Sequence, residues 1–197
     1  MRIGILGIQG DFDLHRKKLE EAGVEYRIVK KAEELEGIDG IIFPGGESTT
    51  ITKILKRYEL DKTLREKISG GFPVFATCAG IIMLASKFEG REEEVNSLGV
   101  LDVKIHRNAY GRQRESFEVP LKVTLGSDEV EITGVFIRAP KIVEVGKDVE
   151  VLGTFEGSPV LIRQGRILAM TFHPELSEGI EIYKFFENLV KERVSNV

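Results

Sequence analysis

Residues 72–85 read "FPVFATCAGIIMLA", and the fold turns on them. "FPVFATC" is a short apolar run of the kind a parallel sheet buries on both faces. "AGIIMLA" is helix-like, with small residues at its mouth. Cys78, the one cysteine in the chain, therefore falls on a strand-to-helix turn. Ala76 and Gly80, two positions either side, are small enough to let a tight elbow close. A nucleophile on such an elbow is pushed out at the carboxyl edge of a sheet, where the N–H groups and positive end of the following helix favour thiolate over thiol. The competing reading is a small buried hydrophobe, the usual fate of a free cysteine.

Outward from that turn, the first half alternates two periodicities. "RIGILGI" (2–8), "VEYRIVK", "DGIIFPGG" and "FPVFATC" read as strands. "DFDLHRKKLEEAG" (11–23), "AEELEG", "STTITKILKRYEL", "DKTLREKISGG" and "AGIIMLASKFEG" (79–90) read as helices. Strands alternating with helices imply right-handed crossovers and a flavodoxin-like, doubly wound, mostly parallel sheet with helices on both faces. From residue 95 the segments become short, rich in Val and Ile and separated by turn residues, which predicts additional strands, some of them antiparallel. "SEGIEIYKFFENLVKERV" closes the chain as an amphipathic helix with Ser177 as N-cap. Without repeat, linker or low-complexity tract, residues 1–197 are expected to form one domain; "EGREEEV" (89–95) reads as a solvated acidic turn.

The chain's 197 residues, 42% apolar and 30% charged, suffice for one globular core. A formal net charge of −4 implies neither a nucleic-acid partner nor an anionic membrane surface. One cysteine and three scattered histidines allow no internal disulfide and no plausible metal-ligand set, and they fit a reducing cytoplasm. The opening stretch is too short and glycine-broken for a signal peptide, and no segment is long enough to cross a bilayer. Abundant Glu and Lys, no Trp and few Asn and Gln lean towards a thermophilic source.

A thiolate nucleophile wants an imidazole. His15 lies in a helix of charged residues and reads as a surface residue; His106, in "KIHRNAYGRQRE", reads as loop or strand-edge packing. His173 ends the apolar run "ILAMTF" and is followed by "PE". In extended backbone, positions i and i+2 project to one face, so Glu175 can orient the His173 ring as the third member of a triad. Alone, "HPE" is also compatible with a simple strand-end turn. "FPGGEST" (43–49) adds two glycines after a buried strand, opening on the same edge as Cys78. Gly46 and Ala79 are then the expected backbone donors to an oxyanion. The loop lacks the Gly-Lys-Ser/Thr ending of a phosphate loop.

Taken in order, "GILGIQGD", "PGGEST", "TCAG", "RNAYGRQ", "GVFIRAP" and "FHPEL" span residues 4–176. The set resembles the triad-type (class I) glutamine amidotransferases, most closely the glutaminase subunits of pyridoxal 5′-phosphate synthases. The leading elbow position, often glycine in related enzymes, is Ala76 here. The resemblance implies hydrolysis of L-glutamine to glutamate and ammonia through a thioester on Cys78, with His173 as acid and base and Glu175 as its orienter. It further implies delivery of ammonia to a separate barrel-shaped synthase subunit for vitamin B6 biosynthesis. The family's substrate contacts fall on Gly46, Glu47, Ser48, Arg107, Ile137 and Arg138, with an arginine suited to gripping the α-carboxylate and Glu47 to meeting the α-ammonium. Arg112 and Arg114 have no assigned role. No cofactor is expected to reside in this chain, pyridoxal phosphate being the product of the complex.

Two other functions use the same elbow. A free-standing γ-glutamyl hydrolase or cysteine peptidase would turn over without a partner. A redox-sensing or binding protein would need Cys78 but no His-x-Glu at the last strand.

Overall fold

In the computed structural model, residues 1–89, 96–107 and 116–195 are described. The acidic run 90–95, most of "RNAYGRQ", Arg112 and Arg114 lie outside them. The strands are β1 (Arg2–Leu6), β2 (Glu25–Val29), β3 (Gly40–Phe43), β4 (Val74–Thr77), β5 (Ala85–Glu89) and β6 (Leu101–His106). They continue as β7 (Ser116–Leu125), β8 (Asp128–Ile137), β9 (Lys141–Val145), β10 (Glu150–Phe155), β11 (Ser158–Gln164) and β12 (Ile167–Met170). The α-helices are α1 (Phe12–Glu21), α2 (Ser48–Arg57), α3 (Leu60–Ser69), α4 (Ala79–Leu84) and α5 (Glu181–Val194).

Nine strands form one sheet in the order β2-β1-β3-β4-β12-β11-β10-β7-β8. The first five run parallel, and the rest continue antiparallel. This is the expected doubly wound arrangement with antiparallel additions. β5, β6 and β9 form a second, small sheet.

Strand periodicity divides the core into two layers. Ile41, Phe43, Val74, Ala76, Ile167 and Ala169 face one side, where they pack with Ile51 and Leu55 of α2 and Leu60 and Leu64 of α3. Ile42, Phe75, Leu168 and Met170 face the other, against Leu19 of α1 and Ile182, Tyr183, Phe186 and Val190 of α5. Every one of these strand residues is buried, as parallel strands covered by helices on both faces must be.

Three local expectations are corrected. The helix read over 79–90 stops at Leu84, and the chain enters β5, which pairs in parallel with β6. Ser177 does not cap α5: its hydroxyl donates to the Pro174 carbonyl at 3.0 Å, closing a 3-10 turn, and the helix starts at Glu181. His15 is not a surface residue. It is fully buried, because Phe12, His15 and Leu19 share the inward stripe of α1.

Candidate active site

β4 and β12 are neighbouring parallel strands, with Ala169 opposite Ala76 and Met170 opposite Thr77. Whatever follows the two strands therefore emerges at one edge of the sheet. After β4 comes Cys78, with φ 47° and ψ −106°, followed directly by α4. A non-glycine residue at positive φ is costly, and here the strain aims a side chain outward from the turn. The Cys78 N–H donates to the Met170 carbonyl at 3.0 Å, which ties the elbow to β12. Ala76 carries no positive φ, so the missing glycine at that position costs the turn nothing. Gly80 is indispensable in a different way: a Cβ there would lie 2.3 Å from the Phe43 carbonyl oxygen.

After β12, His173 is anchored by its N–H on the Val135 carbonyl at 2.8 Å. The backbone is not extended through 173–175, as the sequence reading assumed, since β12 ends at Met170 and Pro174–Leu176 form a 3-10 turn. The turn still returns Glu175 to the ring: His173 Nδ1 lies 2.6 Å from Glu175 Oε1. The Cys78 side chain also acts on the ring, favouring its charged form. The three residues are 8%, 5% and 4% exposed for Cys78, His173 and Glu175 respectively. Burial works against charge on His173, but Cys78 and Glu175 outweigh it and lift its pKa to about 10. Burial alone would raise Glu175, but His15 and His173 face it and hold the carboxyl below its ordinary value.

The glycine loop after β3 closes over this group. A Cβ on Gly45 would stand 2.6 Å from His173 Cε1 and 3.5 Å from Cys78 Cβ, so only glycine lets the loop approach so near. Gly46 follows, packed against Gln9, whose Oε1 accepts from the Glu47 N–H at 2.9 Å.

Glu47 serves the protein itself. Its carboxylate caps α2, accepting from the Thr49 N–H at 3.0 Å, the Thr50 N–H at 2.7 Å and the Thr50 hydroxyl. Those bonds, the Thr50 hydroxyl foremost, depress it to about 2. Arg107, at the end of β6, donates through Nη2 to Ser48 Oγ and Thr49 Oγ1, both at 3.1 Å. On the opposite wall the Ile137 carbonyl, at the end of β8, lies 3.8 Å from Cys78 Sγ, and Arg138 follows at φ 44°. Gly46, Glu47, Ser48 and Arg107 thus gather at the start of α2, and Ile137 lies at the sulfur with Arg138 next to it in the chain.

Among the described residues, Asp11, His173 and Glu175 form one group whose ligand atoms lie within 4.8 Å of one another. His173 Nδ1 and Glu175 Oε1 are already committed to each other, which leaves that group unsuited to a cation.

The residue that sequence reasoning missed is His15. Its Nδ1 lies 2.8 Å from the Tyr183 hydroxyl. Its Nε2 lies 3.3 Å from Thr77 Oγ1 and 3.6 Å from Glu175 Oε2. The signal that could have found it was the helical spacing from Phe12 through His15 to Leu19.

With a sulfur, an imidazolium and a buried carboxylate in line under a glycine loop, the site is equipped for acyl transfer through a covalent intermediate. The profile of the SNO glutamine amidotransferase family matches residues 5–193. The chain belongs to that family. A relative from Thermotoga petrophila, pyridoxal 5′-phosphate synthase subunit PdxT, is 51% identical over 97% of this chain and 100% of its own length. The protein of that name from Geobacillus sp. (strain WCH70) is 47% identical over 98% of each chain. A crystal structure described as a glutamine amidotransferase superposes with a TM-score of 0.89 at 44% identity, covering 96% of this chain and 98% of that one. As in any member of an amidotransferase family, the substrate class is a glutamine side-chain amide, which a thiolate can attack.

Proposed function

We propose that this chain hydrolyses L-glutamine to L-glutamate and ammonia, and passes the ammonia to a separate, barrel-shaped synthase subunit that makes pyridoxal 5′-phosphate. The observation that carries the reading is the convergence of Cys78, His173 and Glu175 from two adjacent parallel strands. The naming of relatives near half identity as subunits of pyridoxal 5′-phosphate synthase supports the choice of partner.

With His173 lifted to about 10, the imidazole carries a proton at rest, and the thiolate is the form of a cysteine that attacks. The Cys78 sulfur attacks the side-chain amide carbon, and the carbonyl oxygen becomes an oxyanion facing the Gly46 and Ala79 N–H groups. His173 gives its proton to the amide nitrogen, the C–N bond breaks, and ammonia leaves with a γ-glutamyl thioester on Cys78. The now neutral His173 takes a proton from water as that water attacks the thioester; the second oxyanion collapses, and the sulfur departs as glutamate forms. Glu175, bound to Nδ1, keeps Nε2 directed at the sulfur throughout. Loss of either oxyanion donor typically costs about 10²- to 10³-fold in turnover. In this reading Arg107, with Ser48, holds the α-carboxylate, a role its hydrogen bond to the Ser48 hydroxyl supports, and Glu47, though committed to α2, is exposed and meets the α-ammonium.

The test is ammonia release from glutamine, measured with and without the synthase subunit. Turnover is expected to be weak alone and to rise strongly on addition of the synthase. Cys78→Ala and His173→Asn are each expected to fall to background. Full turnover without a partner would instead indicate a free-standing hydrolase, and turnover surviving either substitution would remove the triad assignment.

A further inference from the structure

Glu175 uses one carboxylate oxygen on His173. The other, Oε2, is buried and has no hydrogen-bond partner among the described residues. A buried carboxylate oxygen without a donor is costly, and a network left half-satisfied loses the rigidity that justifies it. An N–H group placed to supply one is on His15, whose Nε2 stands 3.6 Å away. Catalytic hydrogen bonds are often long before substrate binds and tighten afterwards.

The tautomer follows from what surrounds the ring. His15 is fully buried, and burial holds it below its ordinary pKa, so the ring is neutral and one nitrogen alone carries hydrogen. If Nδ1 carried it, the bare lone pair on Nε2 would point at the Glu175 carboxylate, a repulsive contact. If Nε2 carries it, that N–H faces Glu175 Oε2 and Thr77 Oγ1, and Nδ1 accepts from the Tyr183 hydroxyl. Tyr183 is suited to donate: burial, with the Glu175 charge, holds its hydroxyl protonated well above the ordinary value. The groups facing His15 are Thr77 and Phe75 of β4, Tyr183 of α5, Glu175 and His173 of the 3-10 turn, and Asp11 at the head of its own helix.

We propose that His15 is a positioning residue for the hydrolysis inferred above: its Nε2–H, set by the Tyr183 hydroxyl, holds Glu175 Oε2 and so fixes the carboxylate that orients His173. The chain of contact then runs from Tyr183 through His15 and Glu175 to His173 and Cys78, linking α5 and α1 to the elbow.

The test compares three substitutions of His15, together with Tyr183→Phe, in the complete complex with synthase. His15→Phe keeps the ring's bulk and removes the donor. His15→Gln keeps an N–H near the Nε2 position, and His15→Asn keeps one near the Nδ1 position only. Expected for His15→Phe is a fall in kcat of about 10- to 100-fold with KM for glutamine little changed, by analogy with the loss when outer-shell partners of metal ligands are removed. The acid limb of the kcat profile should also move to higher pH, because Glu175 without its second donor protonates more readily. His15→Gln should recover most of the loss and His15→Asn should not; Tyr183→Phe should show a smaller fall of the same kind. The rate of Cys78 alkylation by iodoacetamide, followed against pH, supplies a readout that needs no glutamine. If wild-type complex alkylates at Cys78 but releases no ammonia, the glutaminase reading fails while the alkylation series still tests His15. The proposal is overturned if folded His15→Phe keeps wild-type kcat and acid limb, or if Asn rescues as well as Gln.

Discussion

His173 sits between two groups that favour its charge, the Cys78 sulfur and the Glu175 carboxylate, and this placement makes its ionisation readable. Its pKa rises from an ordinary 6.5 to about 10 in the folded chain although burial pulls the other way. A group raised on folding contributes stability that is fully present below the unfolded value and is lost as pH climbs through the folded one. The His173 contribution should therefore be complete below about pH 6.5 and gone above about pH 10. Cys78→Ala removes the largest contribution raising that pKa, so the imidazole midpoint should fall and the window should close from its upper end. Nitrogen-15 NMR of the His173 ring in both proteins checks the midpoint, and chemical denaturation at a series of pH values checks the window. An unchanged midpoint in Cys78→Ala would mean that sulfur and ring do not share a proton. Of the five residues in this chain of contact, Cys78, His173 and Glu175 were legible in the sequence, because motif and spacing mark them. His15 was not, because a lone histidine among charged neighbours carries no mark except its helical phase.

At the scale of the element, the elbow depends on how closely α4 can lie against β3. Gly80 approaches the Phe43 backbone so nearly that an added methyl would meet its carbonyl oxygen at 2.3 Å, and backbone in a central strand cannot step aside. Gly80→Ala is expected to cost about 1–3 kcal/mol, the usual range for overpacking. It should also lower turnover, because the displaced helix carries the Ala79 N–H. Denaturant midpoints and ammonia release measure the two effects; an alanine variant of full stability would show that the helix can shift freely. The strands and helices around this elbow could be read from apolar periodicity because burial on one or both faces imposes it. The boundaries that misled were those set by partners distant in sequence. "ASKFEG" has nothing against a helix locally, yet Ala85 and Phe88 turn inward and the segment pairs with β6. Ser177 looks like a cap for α5 but is drawn into the turn that positions Glu175.

At the scale of the whole molecule, the sheet order explains how residues 78 and 173 meet. β12 comes from the last part of the chain but inserts beside β4, and beyond it β11, β10, β7 and β8 extend the same sheet without a break. The parallel class of the first half was legible from its strand–helix alternation, whereas this insertion was not, since strand order is written in pairings rather than in local pattern. The consequence is that the two halves share one hydrogen-bonded sheet and one pair of core layers, in which Val74 and Ala76 pack with Ile167 and Ala169, and Phe75 with Leu168 and Met170. Neither half can complete the site alone: the first supplies the sulfur and the glycine loop, the second the imidazole and the carboxylate. We therefore expect residues 1–197 to unfold as one unit. Heating followed by circular dichroism, by calorimetry and by residual glutaminase activity should give coincident transitions. An early loss of activity with the sheet intact would place the antiparallel strands in a separately melting unit, and the single-domain reading would then fail.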